Sequence, residues 1–333
     1  MKIPYFFRSF IVCAVIISLC GGWGVLVHKT DHQLAVYELP VKMQRFFYKN
    51  MQYITDSSIR PDIRRNKDST EGPKHFIDLE KYGDSAAWKM PMAWNEAVAK
   101  YSKDTLLKYG YVPYHIINMK NKLINAFKSG NGDSILFYAI DLGHYIEDAN
   151  VPLHSSVNYD GQLTGQRGIH ALWESVVPEI EITGYDLYTR HKATYLKDPA
   201  LAIWTAIRTA HGLLPGVLKK EKEVSAHFVD STKYRTVLKY GKTLKYYTDA
   251  FAKAYGDALK PTINQQLISS ANLVADFWYT AWVDGGSPNL DLLLKTSFTR
   301  DDEKKLNTEL RSFEHNTLIK DSILKATKGN FRE

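Results

Sequence analysis

Apolar residues recur at helical spacing through the middle of this chain, and that period decides what it can fold into. Residues 114–128 place Ile116, Ile117, Met119, Leu123, Ile124 and Phe127 on one face of a helix. Ser129-Gly130-Asn131-Gly132-Asp133 then reads as a turn, with Asp133 placed to cap the next helix. That second helix is expected from Ser134 to about Asn150. It turns Ile135, Leu136, Ala139, Leu142 and Ile146 inward, and Pro152 stops it. Asp141, His144 and Asp148 share its opposite stripe. Residues 200–214, 243–259 and 262–283 fit further helices, and Asp284-Gly285-Gly286-Ser287-Pro288 closes the last. No stretch alternates convincingly as a strand. The expected fold is all-α, one compact multi-helix domain, with Phe277, Trp278, Tyr279 and Trp282 in its core.

The ends of the chain read differently. Lys2 and Arg8 precede an apolar run from Phe10 to Leu19, and small residues Cys20, Gly21 and Gly22 come after it. That is the pattern of a cleaved secretory leader over residues 1–22, with an uncleaved membrane anchor as the alternative. The run is too short to span a bilayer comfortably. A functional domain is expected over 23–288, and a charged C-terminal helix or tail over 289–333. Apolar residues make up 44% of the chain and charged residues 24%, which suits a packed core rather than disorder. Cys13 and Cys20 both lie in the leader. A processed, exported chain would have no disulfide and would need another staple, of which bound metal is one. The net charge is +7, or +5 without Lys2 and Arg8, which suits an anionic substrate and equally suits simple solubility.

Chemistry concentrates in three fragments: His75-Phe76-Ile77-Asp78; Gly143-His144-Tyr145-Ile146-Glu147-Asp148 with Val151-Pro152-Leu153-His154; and Gly168-Ile169-His170-Ala171-Leu172-Trp173-Glu174. His144 and Asp148 are one helical turn apart, and His170 and Glu174 repeat the spacing. Imidazole and carboxylate held this way form a rigid half-site for zinc. A single such pair is usually a surface ion pair; two pairs with His154 between them point to a metal site or to a His/acid catalytic site.

These residues resemble the superfamily that joins bacterial zinc-dependent phospholipase C with the single-strand-specific nucleases of the S-one/P-one type. His144, Asp148, His154, His170 and Glu174 match its H-x3-D-x5-H and H-x3-[D/E] pattern. Its first half is matched by Trp23, His28, Asp62 and His75, Trp23 being the residue left at the start after leader removal. The resemblance covers about residues 23–174. It implies a cleft holding three zinc ions: one held by Asp62, His75, His144 and Asp148, a second by His154, His170 and Glu174, and a third by Trp23, His28 and a bridging Asp148.

The activity implied is hydrolysis of phosphate esters by a metal-activated water, which Asp62 would orient and deprotonate. Arg65 reads either as a clamp on phosphoryl oxygens or as a solvated charge. Phe76 and Asp78 are the candidate substrate contacts, Phe76 by stacking, with core packing as its alternative. Asp141 either orients a ligand histidine or pairs at the surface. His32, His115, His191, His211, His227 and His315 match no motif and read as structural. Arg65 and Trp173 resemble the nuclease branch, so single-stranded nucleic acid or nucleotides are the expected partners. Glu174 resembles the phospholipase branch, which makes phospholipid the alternative. An exported metal-binding protein without activity is a third reading. The resemblance places the protein outside the cell or in a periplasm.

Overall fold

Most of the described chain is helical, as the apolar period requires. The computed structural model describes residues 24–326, apart from residue 240. Trp23 and the expected leader over residues 1–22 lie outside the described residues, as does the end of the tail.

The first helix, Val25–Glu38, is the axis of the fold. Nearly all of it is buried, polar Thr30, Asp31, His32 and Gln33 included. A helix buried on all sides needs partners on all sides. Here these include the long Asp249–Asp284 helix, the Gly132–Asp148 helix and the short Met51–Ser57 helix. Val112–Ser129 and Gly132–Asp148 form an antiparallel pair, as expected, joined at Gly130, whose φ of 62° suits glycine. The cap between them is Asn131 rather than Asp133. The Asn131 side chain accepts from Ser134 N at 2.8 Å, while Asp133 enters the first turn and pairs with Lys295. The Gly132–Asp148 helix also departs from an amphipathic pattern: from Ala139 to Asp148 every side chain is buried.

The second half corrects the sequence reading in three places. Residues 243–247 are strand, not helix. Tyr234–Lys239 and Lys242–Tyr247 form an antiparallel hairpin, turned at Gly241 with a φ of 69°. Its alternation of tyrosine, threonine and lysine with aliphatics is a strand pattern that reads weakly because so little of it is buried. The two helices expected around Pro261 are one, Asp249–Asp284, and the Pro199–Ser225 helix likewise runs through Pro215. The carbonyl that Pro261 leaves unbonded belongs to Asp257, which is solvent-exposed, so water can replace the lost donor. Beyond residue 288, the Arg300–Glu314 helix and the segment after it dock on the first helix. Glu309 accepts from Tyr37 Oη at 2.7 Å, Gln33 binds Ile323 O and Lys325 N, and Phe313 and Leu318 are buried in the common core. No described helix is long and apolar enough to cross a membrane.

Candidate metal centre

Four segments meet where the Gly132–Asp148 helix ends. The first helix supplies His28. The Arg60–Arg65 helix supplies Asp62. A strap that starts at the 3-10 turn Gly72–Lys74 supplies His75, which closes that turn, and the central helix supplies His144 and Asp148. The strap is held by backbone bonds to both sides, Ile77 N to His154 O at 2.9 Å and Asp78 N to Tyr109 O at 2.8 Å. Asp148 is the hub. Its carboxylate lies 2.8 Å from His75 Nδ1, 3.3 Å from His144 Nε2, 3.6 Å from His154 Nδ1 and 3.9 Å from His28 Nε2. Asp62 Oδ1 is 3.8 Å from both His75 Nδ1 and His144 Nε2. Next to this group, His154, His170 and Glu174 converge. The Nε2 atoms of His154 and His170 are 2.9 Å apart, and Glu174 Oε2 is 2.9 Å from His170 and 3.6 Å from His154. Glu174 sits in a π-helical turn, Leu172–Val176, rather than the regular helix that its spacing from His170 suggests.

Three sets of ligand atoms close enough to share an ion result: His28, His144 and Asp148; Asp62, His75 and His144; and His154, His170 and Glu174. Tetrahedral zinc with nitrogen and oxygen bonds near 2 Å would space its ligand atoms about 3.3 Å apart, and the observed separations bracket that. Three buried atoms of the cluster, His28 Nε2, Asp148 Oδ1 and Glu174 Oε2, make no hydrogen bond. Buried polar atoms seldom go unsatisfied, and cations held by the first and third of these sets would satisfy them.

The electrostatics agree. Burial alone would raise the carboxyls of Asp148 and Asp62. The facing histidines, His144 first in each case, outweigh it and hold both below the usual range. Burial opposes protonation of His75 and His144, but the adjoining carboxylates raise both. Around Glu174 burial prevails, pushing that carboxyl up to about 8 and His170 down to about 4.

The supports behind these side chains were mostly missed from sequence. Glu147, whose place beside Asp148 in the sequence suggests no role, bonds His28 Nδ1 with one oxygen and lies 2.7 Å from His32 Nδ1 with the other. His144 Nδ1 meets Ser58 O at 2.8 Å, and His154 Nδ1 meets His75 O at 2.9 Å. Each contact leaves Nε2 to face the cluster, which is how ligand imidazoles are oriented. His75 is reversed: Nδ1 faces inward and Nε2 lies 3.7 Å from Glu71, a buried residue that also holds Arg64, Lys74 and the Tyr145 hydroxyl. Asp141 performs neither expected role. It is buried and binds Arg60 and Arg64, and Arg64 in turn reaches Glu71. His32 touches Glu147 and so belongs to the support of the cluster. His115, His191 and His211 pack against or bond residues outside it, and His227 and His315 are exposed.

Arg65 Nη1 is 3.6 Å from Asp62 Oδ1. Phe76 is half-buried and lies so close to Gly110 that a side chain there would meet its ring carbon at 2.6 Å. The Asp78 carboxyl is pushed up to about 6 by burial and by Glu80. Gly24 N donates to Glu174 O at 3.0 Å, which brings the start of the described chain to the cluster. Tyr159, 45% exposed, stands with its ring 6.0 Å from that of His170. No protein-family model matches this chain, and no curated protein matches it.

Proposed function

We propose that this protein is an exported, zinc-dependent phosphoester hydrolase. The observation that carries the reading is the convergence of His28, Asp62, His75, His144, Asp148, His154, His170 and Glu174 on one buried cluster with hydrogen-bond-deficient atoms. The donors are imidazole nitrogen and carboxylate oxygen, the set that zinc takes. Three zinc ions would be held by these residues as the resemblance has them, with Trp23 completing the third site. Gly24 beside Glu174 supports that placement. Bound here, zinc would supply Lewis acidity and a water acidic enough to lose its proton near neutral pH.

The chain's own residues do the rest. Asp62, kept ionised by His144 and His75, accepts the proton of the attacking water. Arg65, beside it, binds phosphoryl oxygens through paired N–H groups. Tyr159 at the rim of His170 offers a face on which a base can stack, so single-stranded nucleic acid or nucleotides are the preferred substrate. Phospholipid is the second reading. It is favoured by Leu163, 69% exposed in the loop that leads to His170.

The test is turnover by processed, zinc-loaded protein on single-stranded DNA and on phosphatidylcholine side by side, with a chelator control. Chelator-sensitive DNA cleavage supports the preferred reading, and headgroup release alone replaces the substrate. No turnover on either leaves an inactive metal-binding protein. Asp62→Asn is expected to fold and to lose about 100-fold or more in kcat; near-normal kcat would remove Asp62 from the mechanism. An extra residue before Trp23 should lower the zinc content, and an unchanged content would refute the role of the processed N-terminus.

A further inference from the structure

The hairpin that the helical reading overlooked stands out in charge and exposure. Between Lys233 and Tyr247 the sequence carries Lys233, Arg235, Lys239, Lys242 and Lys245 and no carboxylate. Its inner half is anchored. Tyr247 packs on Gly168 and bonds Glu221, Tyr234 lies against Tyr247, and Lys233 pairs with Glu221 at 2.8 Å. Gly168 leads directly to His170, so the anchor adjoins the rim of the metal cluster. The outer half has no such partners for its aliphatic residues. Val237 faces Leu244 and Leu238 faces Thr243 in the register; Leu238 is 75% exposed and Leu244 36%.

We propose that this hairpin docks the protein on an anionic lipid surface, its aliphatic outer half entering the headgroup boundary and its cations meeting lipid phosphates and carboxylates. Exposed aliphatic side chains on a strand pair whose sequence is rich in cations suit that boundary, where apolar burial and charge attraction act together. Single-stranded nucleic acid fits less well. It wants open aromatic faces, and here Tyr234 and Tyr247 face each other under Lys233, while Arg235 covers Tyr246. Lys245 is within 3.0 Å of Asp230, but both are exposed, and such a pair is easily exchanged for a stronger anionic field. The docking needs no metal and stands apart from the hydrolase reading.

The experiment is co-sedimentation of the full chain with vesicles of phosphatidylcholine alone and with about one-third phosphatidylserine, with and without chelator. Parent and variants share one N-terminus, so any leader contributes equally. The parent should bind the anionic vesicles more tightly and lose that preference at high salt. Leu238→Ser with Leu244→Ser should weaken binding about tenfold or more, and Lys245→Gln about fivefold. Unfolding temperatures should not change, and Leu292→Ser and Lys304→Gln, both exposed on other elements, should bind as the parent does. Vesicle binding unchanged in the hairpin variants would overturn the proposal. So would a loss confined to single-stranded DNA binding, measured by fluorescence anisotropy on the same samples.

Discussion

The Asp148 group and the Glu174 group share one interior and are joined through His154, which lies 3.6 Å from each carboxylate. Burial acts on them in opposite ways. Around Asp148 the facing histidines and carboxylates outweigh desolvation, so the acids are held low and His75 and His144 high. Around Glu174 desolvation prevails, and both Glu174 and His170 are pushed towards their neutral forms. The first group is therefore largely self-compensated, with Glu147 and backbone carbonyls fixing its rings. The second is short of positive charge and hangs on a three-residue helix and a π turn. A cation bound here would add most to the second group and would be shared most widely by the first.

The largest effect is expected from removing the hub of the first group. Asp148→Asn takes away the carboxylate that His28, His75, His144 and His154 all approach, and leaves buried imidazoles facing one another. Breaking a buried charge pair from one side costs about 3–5 kcal/mol. Denaturant unfolding should show a loss of that size, and metal analysis should show fewer ions than in the parent. A stable Asp148→Asn protein with a full metal complement would abolish the contrast between the two groups. Glu147→Gln should act next most strongly. It keeps the shape but weakens the acceptor on His28 Nδ1, and losses of such supports lower metal affinity about 10–100-fold. Competition with a coloured chelator would measure it. Affinity falling equally at both groups would mean that they are one unit.

Local periodicity carried much of this into view from sequence. The helical class, the 112–148 helix pair and the spacing of His144 with Asp148 arise from patterns within a few turns of chain. What escaped depends on distant packing. Glu147 looks like the outer half of a Glu-Asp doublet until His32, more than a hundred residues away, arrives beside it. Glu71 has no motif, and its role exists only because Arg64, Tyr145 and His75 meet around it. Asp141 lay on the ligand stripe and invited a role beside a histidine, yet arginines from the Arg60–Arg65 helix claimed it. The hairpin at 234–247 was hidden for the opposite reason, because alternation is faint where few of the residues are buried.

Gly143→Ala gives the smallest and sharpest test. A methyl group at Gly143 would lie 2.7 Å from His32 Nε2 and 2.9 Å from its Cε1. The residue thus sets how closely the first helix approaches the Gly132–Asp148 helix, and with it the contact of His32 with Glu147. Helix propensity alone would make alanine better by about 1 kcal/mol. Overpacking a filled interior costs about 1–3 kcal/mol. If the close approach of His32 is needed, the net result is destabilisation, together with a metal affinity loss of less than about tenfold, because Glu147 keeps its bond to His28. A single Gly143→Ala substitution that stabilises the protein, as propensity favours, would show that His32 can yield and that Glu147 orients His28 unaided.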